Sequence, residues 1–180
     1  MGKSIVFSFP GKRGEEIPLL YFGAKHYVDK GYEKVYIQHP ASGNGLEEVY
    51  ENAKSILRSY DFSEYEEIVF VGKSMGTVVA CKLKAELQID ASLVLFTPLK
   101  DTLPYIKSDN RIVLAAAGDN DRFLEWEVLR DHCERENVPY YIEPGVGHAM
   151  EVKDDEIFTI VSPIGYTADK MSLMETLMRK

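Results

Sequence analysis

Short apolar runs and helical stripes take turns along this chain, and that alternation limits what it can fold into more than any single residue does. The runs read SIVFSF (4–9), KVYIQ (34–38), EIVFV (67–71), SLVLF (92–96), RIVLAAA (111–117) and PYYIE (139–143). Between them, apolar residues recur at three- and four-residue steps. Ile17, Leu20, Tyr21, Ala24, Tyr27 and Val28 make one stripe, closed by Gly31. Leu46, Val49, Tyr50, Ala53, Ile56, Leu57 and Tyr60 make a second. Met75, Val78, Val79, Leu83 and Leu87 make a third, and Phe123, Trp126, Leu129 and Cys133 a fourth. Strands alternating with helices form βαβ units, which build a parallel sheet with helices on both faces. IVFV is apolar at every position, as expected of a strand covered on both sides. The expectation is an α/β fold, a three-layer α/β/α arrangement around a mostly parallel sheet of about six strands. EIFTIV, within 151–165, is expected to be an extra strand or an extended strap, and 166–180 a helical tail.

With 180 residues the chain is expected to form one domain spanning 1–180. Its net charge of −8, from 21 basic and 29 acidic residues, argues against nucleic acid as a partner, because that binding rests on clustered Lys and Arg. Two cysteines, Cys81 and Cys133, make no disulfide framework and read as small buried hydrophobes or helix-surface thiols. No stretch approaches the ~20 apolar residues of a membrane span. The first apolar run is too brief for a signal-peptide core. A cytoplasmic protein with no membrane partner is therefore expected.

The stretch FVGKSMG (70–76) admits two readings. GKS could end a phosphate-binding loop, which needs an earlier glycine and a flexible turn. The position of that glycine is Glu67, and IVFV fills the space between. A strand cannot curl its N–H groups around phosphates, and a carboxylate repels them. The second reading is Gly-x-Ser-x-Gly, the sharp turn between a strand and a helix that presents a nucleophilic serine. EIVFV, GKSMG and TVVACKLKAEL supply strand, turn and helix in that order. Gly72 and Gly76 leave space where strand and helix nearly touch. Ser74 then stands at a helix N-terminus, where free N–H groups favour developing negative charge.

A serine hydroxyl needs a base to take its proton, and the base needs an orienting acid. PGVGHAM follows PYYIE and places His148 on a glycine-flanked loop. GDNDR follows RIVLAAA and offers Asp121 as the leading acid, with Asp119 and then Asp101 as alternatives. Asp119 also reads as a turn or capping residue. His39 follows the second strand and could line a pocket; His26 and His132 fall on helices. An oxyanion hole needs two backbone donors. Met75 is expected to supply one, and Gly11 or Lys12, in PGKRG, the other. PGKRG also reads as a plain polar turn.

These residues resemble the α/β-hydrolase superfamily, from IVFSFPGKRG to GVGHAM, and in particular its small, lidless bacterial members. The resemblance implies a strand order of 2-1-3-4-5-6, with nucleophile, acid and base at Ser74, Asp121 and His148. It implies oxyanion donors at Met75 and at Lys12 or Gly11, and it implies no metal or organic cofactor. The loop FPGKRG departs from the His-Gly common there, and residues 151–165 fall where relatives run straight into a helix. The expected activity is a serine hydrolase cleaving a small ester or thioester, with a small molecule as partner and oligomeric state open. Two alternatives stand beside it: an inactive binding or regulatory protein on the same scaffold, and an acyltransferase. The short connection at 97–110 implies no large cap.

Overall fold

The computed structural model describes residues 2–14 and 16–150, with the backbone alone of 152–153 and 158–159. Six parallel strands form one sheet: β1 (Lys3–Phe9), β2 (Glu33–Tyr36), β3 (Tyr65–Lys73), β4 (Ser92–Phe96), β5 (Ile112–Gly118) and β6 (Tyr140–Glu143). Their order is β2-β1-β3-β4-β5-β6, as the resemblance implies. Four helices join them: α1 (Pro18–Val28), α2 (Leu46–Leu57), α3 (Met75–Glu86) and α4 (Trp126–Glu136). Glu67, the residue that ruled out a phosphate loop, lies inside β3 and pairs with Ser4 of β1.

Ile5 to Phe9 are all buried, so β1 packs on both faces. Phe7, Phe9 and Phe70 face one side and join residues of α2, α3 and α4 in the larger core. Val6, Val69, Val71, Val94 and Phe96 face the other and pack on α1. This division follows from chain direction. β1 runs leftward to β2 and every later crossover runs rightward, so right-handed connections put α1 alone against the other three helices. The reversal lies between β1 and β3, where the carboxyl ends of parallel strands open a crevice.

One local reading changes and two gain detail. Phe123 precedes α4, which starts at Trp126; it stands on a loop, half exposed, rather than on the helical stripe. The chain from Leu99 to Arg111 holds two 3-10 turns, Lys100–Tyr105 and Ser108–Asn110. Val152–Lys153 (β7) and Phe158–Thr159 (β8) pair antiparallel, so part of EIFTIV is extended. The expected helix at 166–180 lies outside the described residues.

Candidate active site

Ser74 caps α3 with φ 54° and ψ −122°, a backbone conformation that costs an L-residue strain. Packing on three strands imposes it. Ser74 N–H donates to Phe96 O at 3.0 Å, at the end of β4. A Cβ on Gly72 would lie 2.9 Å from Gly76 O, and one on Gly76 would lie 2.6 Å from Pro10 O, beyond β1. Those distances are too short for any carbon, so α3 can start this close to β1 and β3 only with glycines there. Thr77 Oγ donates to Ser74 O at 2.7 Å and shares a second hydrogen bond of 2.7 Å with Thr102 Oγ. Both threonines are fully buried. Sequence reading missed this pair, since a threonine on a helix and another in a loop carry no shared pattern.

Asp121 and His148 come from the next strand ends. Asp119 N–H donates to Glu143 O at 3.1 Å, Asn120 N–H to Val146 O at 3.0 Å, and Gly145 N–H to Asp119 Oδ1 at 2.7 Å. The two loops are thereby zipped together. Asp119, a candidate pocket residue and alternative acid, spends its carboxylate on this tether. Asp121 is buried; its Oδ1 accepts from Phe123 N–H at 2.9 Å and its Oδ2 from His148 Nδ1–H at 2.8 Å. With Nδ1 protonated, Nε2 keeps its lone pair and accepts from Ser74 Oγ–H at 2.7 Å. Ser74, His148 and Asp121 thus form one hydrogen-bonded line. Such a line can pass the serine proton to the imidazole while the carboxylate stabilises the resulting cation. The Phe123 ring covers the imidazole, with centroids 4.4 Å apart. No sequence period singled out Phe123 for that role.

Met75 is the first residue of α3, so its N–H has no partner within the helix. The 10–14 loop lies alongside: a Cβ on Gly11 would be 3.4 Å from Ser74 Cβ. Lys12 follows in the same turn, which Gly14 N–H closes on Gly11 O at 2.9 Å. The placement of Met75, Gly11 and Lys12 is compatible with two amides facing one oxyanion. His39 sits against this loop, where Gly14 adopts φ +71° and a Cβ on it would come 2.9 Å from the imidazole. Both His39 ring nitrogens are buried without a partner, and burial pushes its pKa below the ordinary 6.5. Thr97 Oγ and Ser8 Oγ are buried without partners as well. Thr97 also takes φ 44°, beside the strand end that receives the Ser74 N–H.

The other expected candidates stand apart. His132 bonds Ile106 O at 2.9 Å from α4, and His26 stacks edge-on with Tyr27 on α1. Asp101 is an exposed residue of the first 3-10 turn. Cys81 and Cys133 are buried, and burial pushes each thiol up to about 12. No group of three His, Cys, Asp or Glu among the described residues converges as a metal-ligand set. No helix among them is long and apolar enough to cross a membrane. A groove of about 530 Å³ between α2 and α3, lined by Tyr50, Lys82, Glu86 and Tyr105 among others, shares no residue with the Ser74 site.

A doubly wound sheet in this order, with a serine on the sharp turn after β3, is the α/β-hydrolase fold. Solved structures bear this out. An α/β serine hydrolase homologue from Coxiella burnetii matches 98% of this chain and 84% of its own length, at 16% identity and a TM-score of 0.67. An esterase of Pyrococcus furiosus matches 99% of this chain and 81% of its own, at 16% identity and a TM-score of 0.67. A lidless α/β serine hydrolase from Xanthomonas campestris matches 81% of this chain and 72% of its own, at 15% identity and a TM-score of 0.63. At the level of sequence, no family model and no curated protein matches the chain.

Proposed function

We propose that this protein is a serine hydrolase that cleaves a small ester or thioester through an acyl-enzyme on Ser74. The observation that carries this reading is the unbroken hydrogen-bonded line Asp121–His148–Ser74, with links of 2.8 and 2.7 Å. Ser74 Oγ attacks the substrate carbonyl carbon as its proton passes to His148 Nε2. Asp121 holds the imidazolium. The Met75 N–H and an amide of Gly11 or Lys12 hydrogen-bond the oxyanion. The tetrahedral intermediate collapses and the bond to the leaving oxygen or sulfur breaks. His148 returns the proton to that atom, leaving an acyl ester on Ser74. Water, deprotonated by His148, attacks the acyl carbon; the carboxylic acid departs and Ser74 regains its proton. The lidless neighbour and the esterase among the similar structures support the choice of reaction class.

A fluorophosphonate probe tests the reading. It is expected to label Ser74 in folded wild-type protein and to leave Ser74→Ala and His148→Ala unlabelled. Folded wild-type protein that stays unlabelled would remove the proposal.

A further inference from the structure

Several cationic side chains at the rim of the Ser74 site have no part in the acyl-transfer scheme. Lys12 and Arg13 occupy the turn between Gly11 and Gly14, and Gly11 borders the nucleophile. The Lys73 stem runs along the same turn: a Cβ on Gly11 would lie 3.3 Å from Lys73 Cδ. On the other side of the site, the Phe123 ring rests on His148 with 51% of its surface exposed. The Arg122 guanidinium lies 4.9 Å from the centre of that ring. Lys12, Arg13, Lys73 and Arg122 therefore bracket a single hydroxyl, from the ends of β1, β3 and β5.

The nearby carboxylates are mostly spent. Asp121 serves His148 and the Phe123 N–H, and Asp119 takes the Gly145 N–H. Glu143 accepts from Tyr141 Oη, and Glu16 pairs with Lys34. Asp101 and Glu125 are exposed at the same edge, with Glu47 and Glu48 farther out at the start of α2. None of the described carboxylates pairs with Lys12, Arg13 or Arg122. The chain as a whole carries −8. A molecule with that charge repels anions generally, so Lys12, Arg13 and Arg122, which pair with no carboxylate among the described residues, single out one region near Ser74 that attracts them. A neutral ester has no use for such a rim. An anionic one gains both encounter rate and orientation from it.

We propose that the ester or thioester cleaved at Ser74 carries an anionic group, a carboxylate or a phosphate, which lies among Lys12, Arg13 and Arg122 while Phe123 contacts the apolar segment next to the carbonyl. This rests on the hydrolase reading above. The anion could sit on either side of the scissile bond, and two matched pairs of probes separate the cases. For the acyl side, mono-p-nitrophenyl adipate is compared with p-nitrophenyl hexanoate. For the leaving group, S-butyryl phosphopantetheine is compared with S-butyryl pantetheine. In at least one pair kcat/KM should favour the anion by about tenfold or more at low salt, and the preference should shrink as ionic strength rises and the screening length falls from ~30 to ~8 Å. In Arg13→Gln/Arg122→Gln the preference should fall by about tenfold, with neutral-ester turnover within about twofold of wild type.

Equal or better turnover of the neutral member in both pairs overturns the inference, and so does a preference unmoved by the double variant. Fluorophosphonate labelling run on the same samples distinguishes the two levels. Labelled Ser74 without anion preference removes only the substrate class. Unlabelled Ser74 in folded protein removes the hydrolase reading and the substrate class together.

Discussion

The turn that carries Ser74 and the paired loops that carry Asp121 and His148 reach the same site by different physics. The turn is held by exclusion. Gly72 and Gly76 let α3 start so close to β1 and β3 that Ser74 has one place to be, at φ 54°. The loops are held by hydrogen bonds between one another, through Asp119, Asn120, Glu143, Gly145 and Val146. Steric exclusion tolerates almost no substitution, because close-packed interiors transmit every added carbon. A hydrogen-bonded tether can lose a member and loosen by degrees. The Ser74 turn should therefore respond to mutation as a switch and the His148 loop as a dial.

The largest expected effect separates strain from activity at Ser74 itself. Ser74→Gly should cut hydrolysis by about four to six orders of magnitude. The same change relieves the strained φ, worth about 1 kcal/mol, and should raise Tm by roughly 2–4 °C. A fall in Tm on calorimetry would mean that packing does not strain this turn. Next comes Gly76→Ala, whose Cβ would press on backbone atoms of Phe9 and Pro10. It should cost about 3 kcal/mol or more and lower Tm by about 10 °C. Stability within about 1 kcal/mol of wild type in denaturant titration would break the switch half of the contrast.

Asp119→Ala should lower kcat by about tenfold with KM little changed, because His148 is then held less accurately. Asp119→Asn keeps an oxygen to accept the Gly145 N–H and should restore most of that loss. An all-or-none loss in the alanine variant would show that the base loop is a switch too. The smallest effect is expected at His39. Burial depresses its pKa, so the unfolded chain takes up a proton first as pH falls below 6.5. The stability held by the neutral ring is present above that pH and lost below it, down to the folded-state value. His39→Gln should flatten the acid side of a Tm-against-pH curve below pH 6.5. An unchanged slope would show that the ring is solvated.

The contrast also governs what could be read without coordinates. Exclusion leaves marks in sequence, because only glycine fits where backbones nearly touch. Gly72 and Gly76 around Ser74, between a strand run and a helix stripe, therefore announced the turn. The sheet was legible for a similar reason, since β3 and β4 show their burial on both faces as unbroken apolar runs. Hydrogen bonds between loops leave little trace. Asp119 and Asp121 sit two residues apart in one polar loop, and only geometry shows one tying a neighbouring loop and the other bonding His148. Phe123 was misplaced because an aromatic three residues before a helix's own stripe continues its period by accident. Thr77 and Thr102 meet only because the β4–β5 connection folds back on α3.

That meeting has a bearing on how the molecule could be rebuilt. Extra chain inserted between Leu99 and Ile106 would pull Thr102 off Thr77, leave a buried hydroxyl orphaned and disturb the Ser74 carbonyl. The exposed stretch at Lys107–Asp109 lies just past this anchor. A designer seeking to graft a roof over the Ser74 site, or lineage drift adding one, would find in those few residues a splice point insulated from Ser74 and its partners.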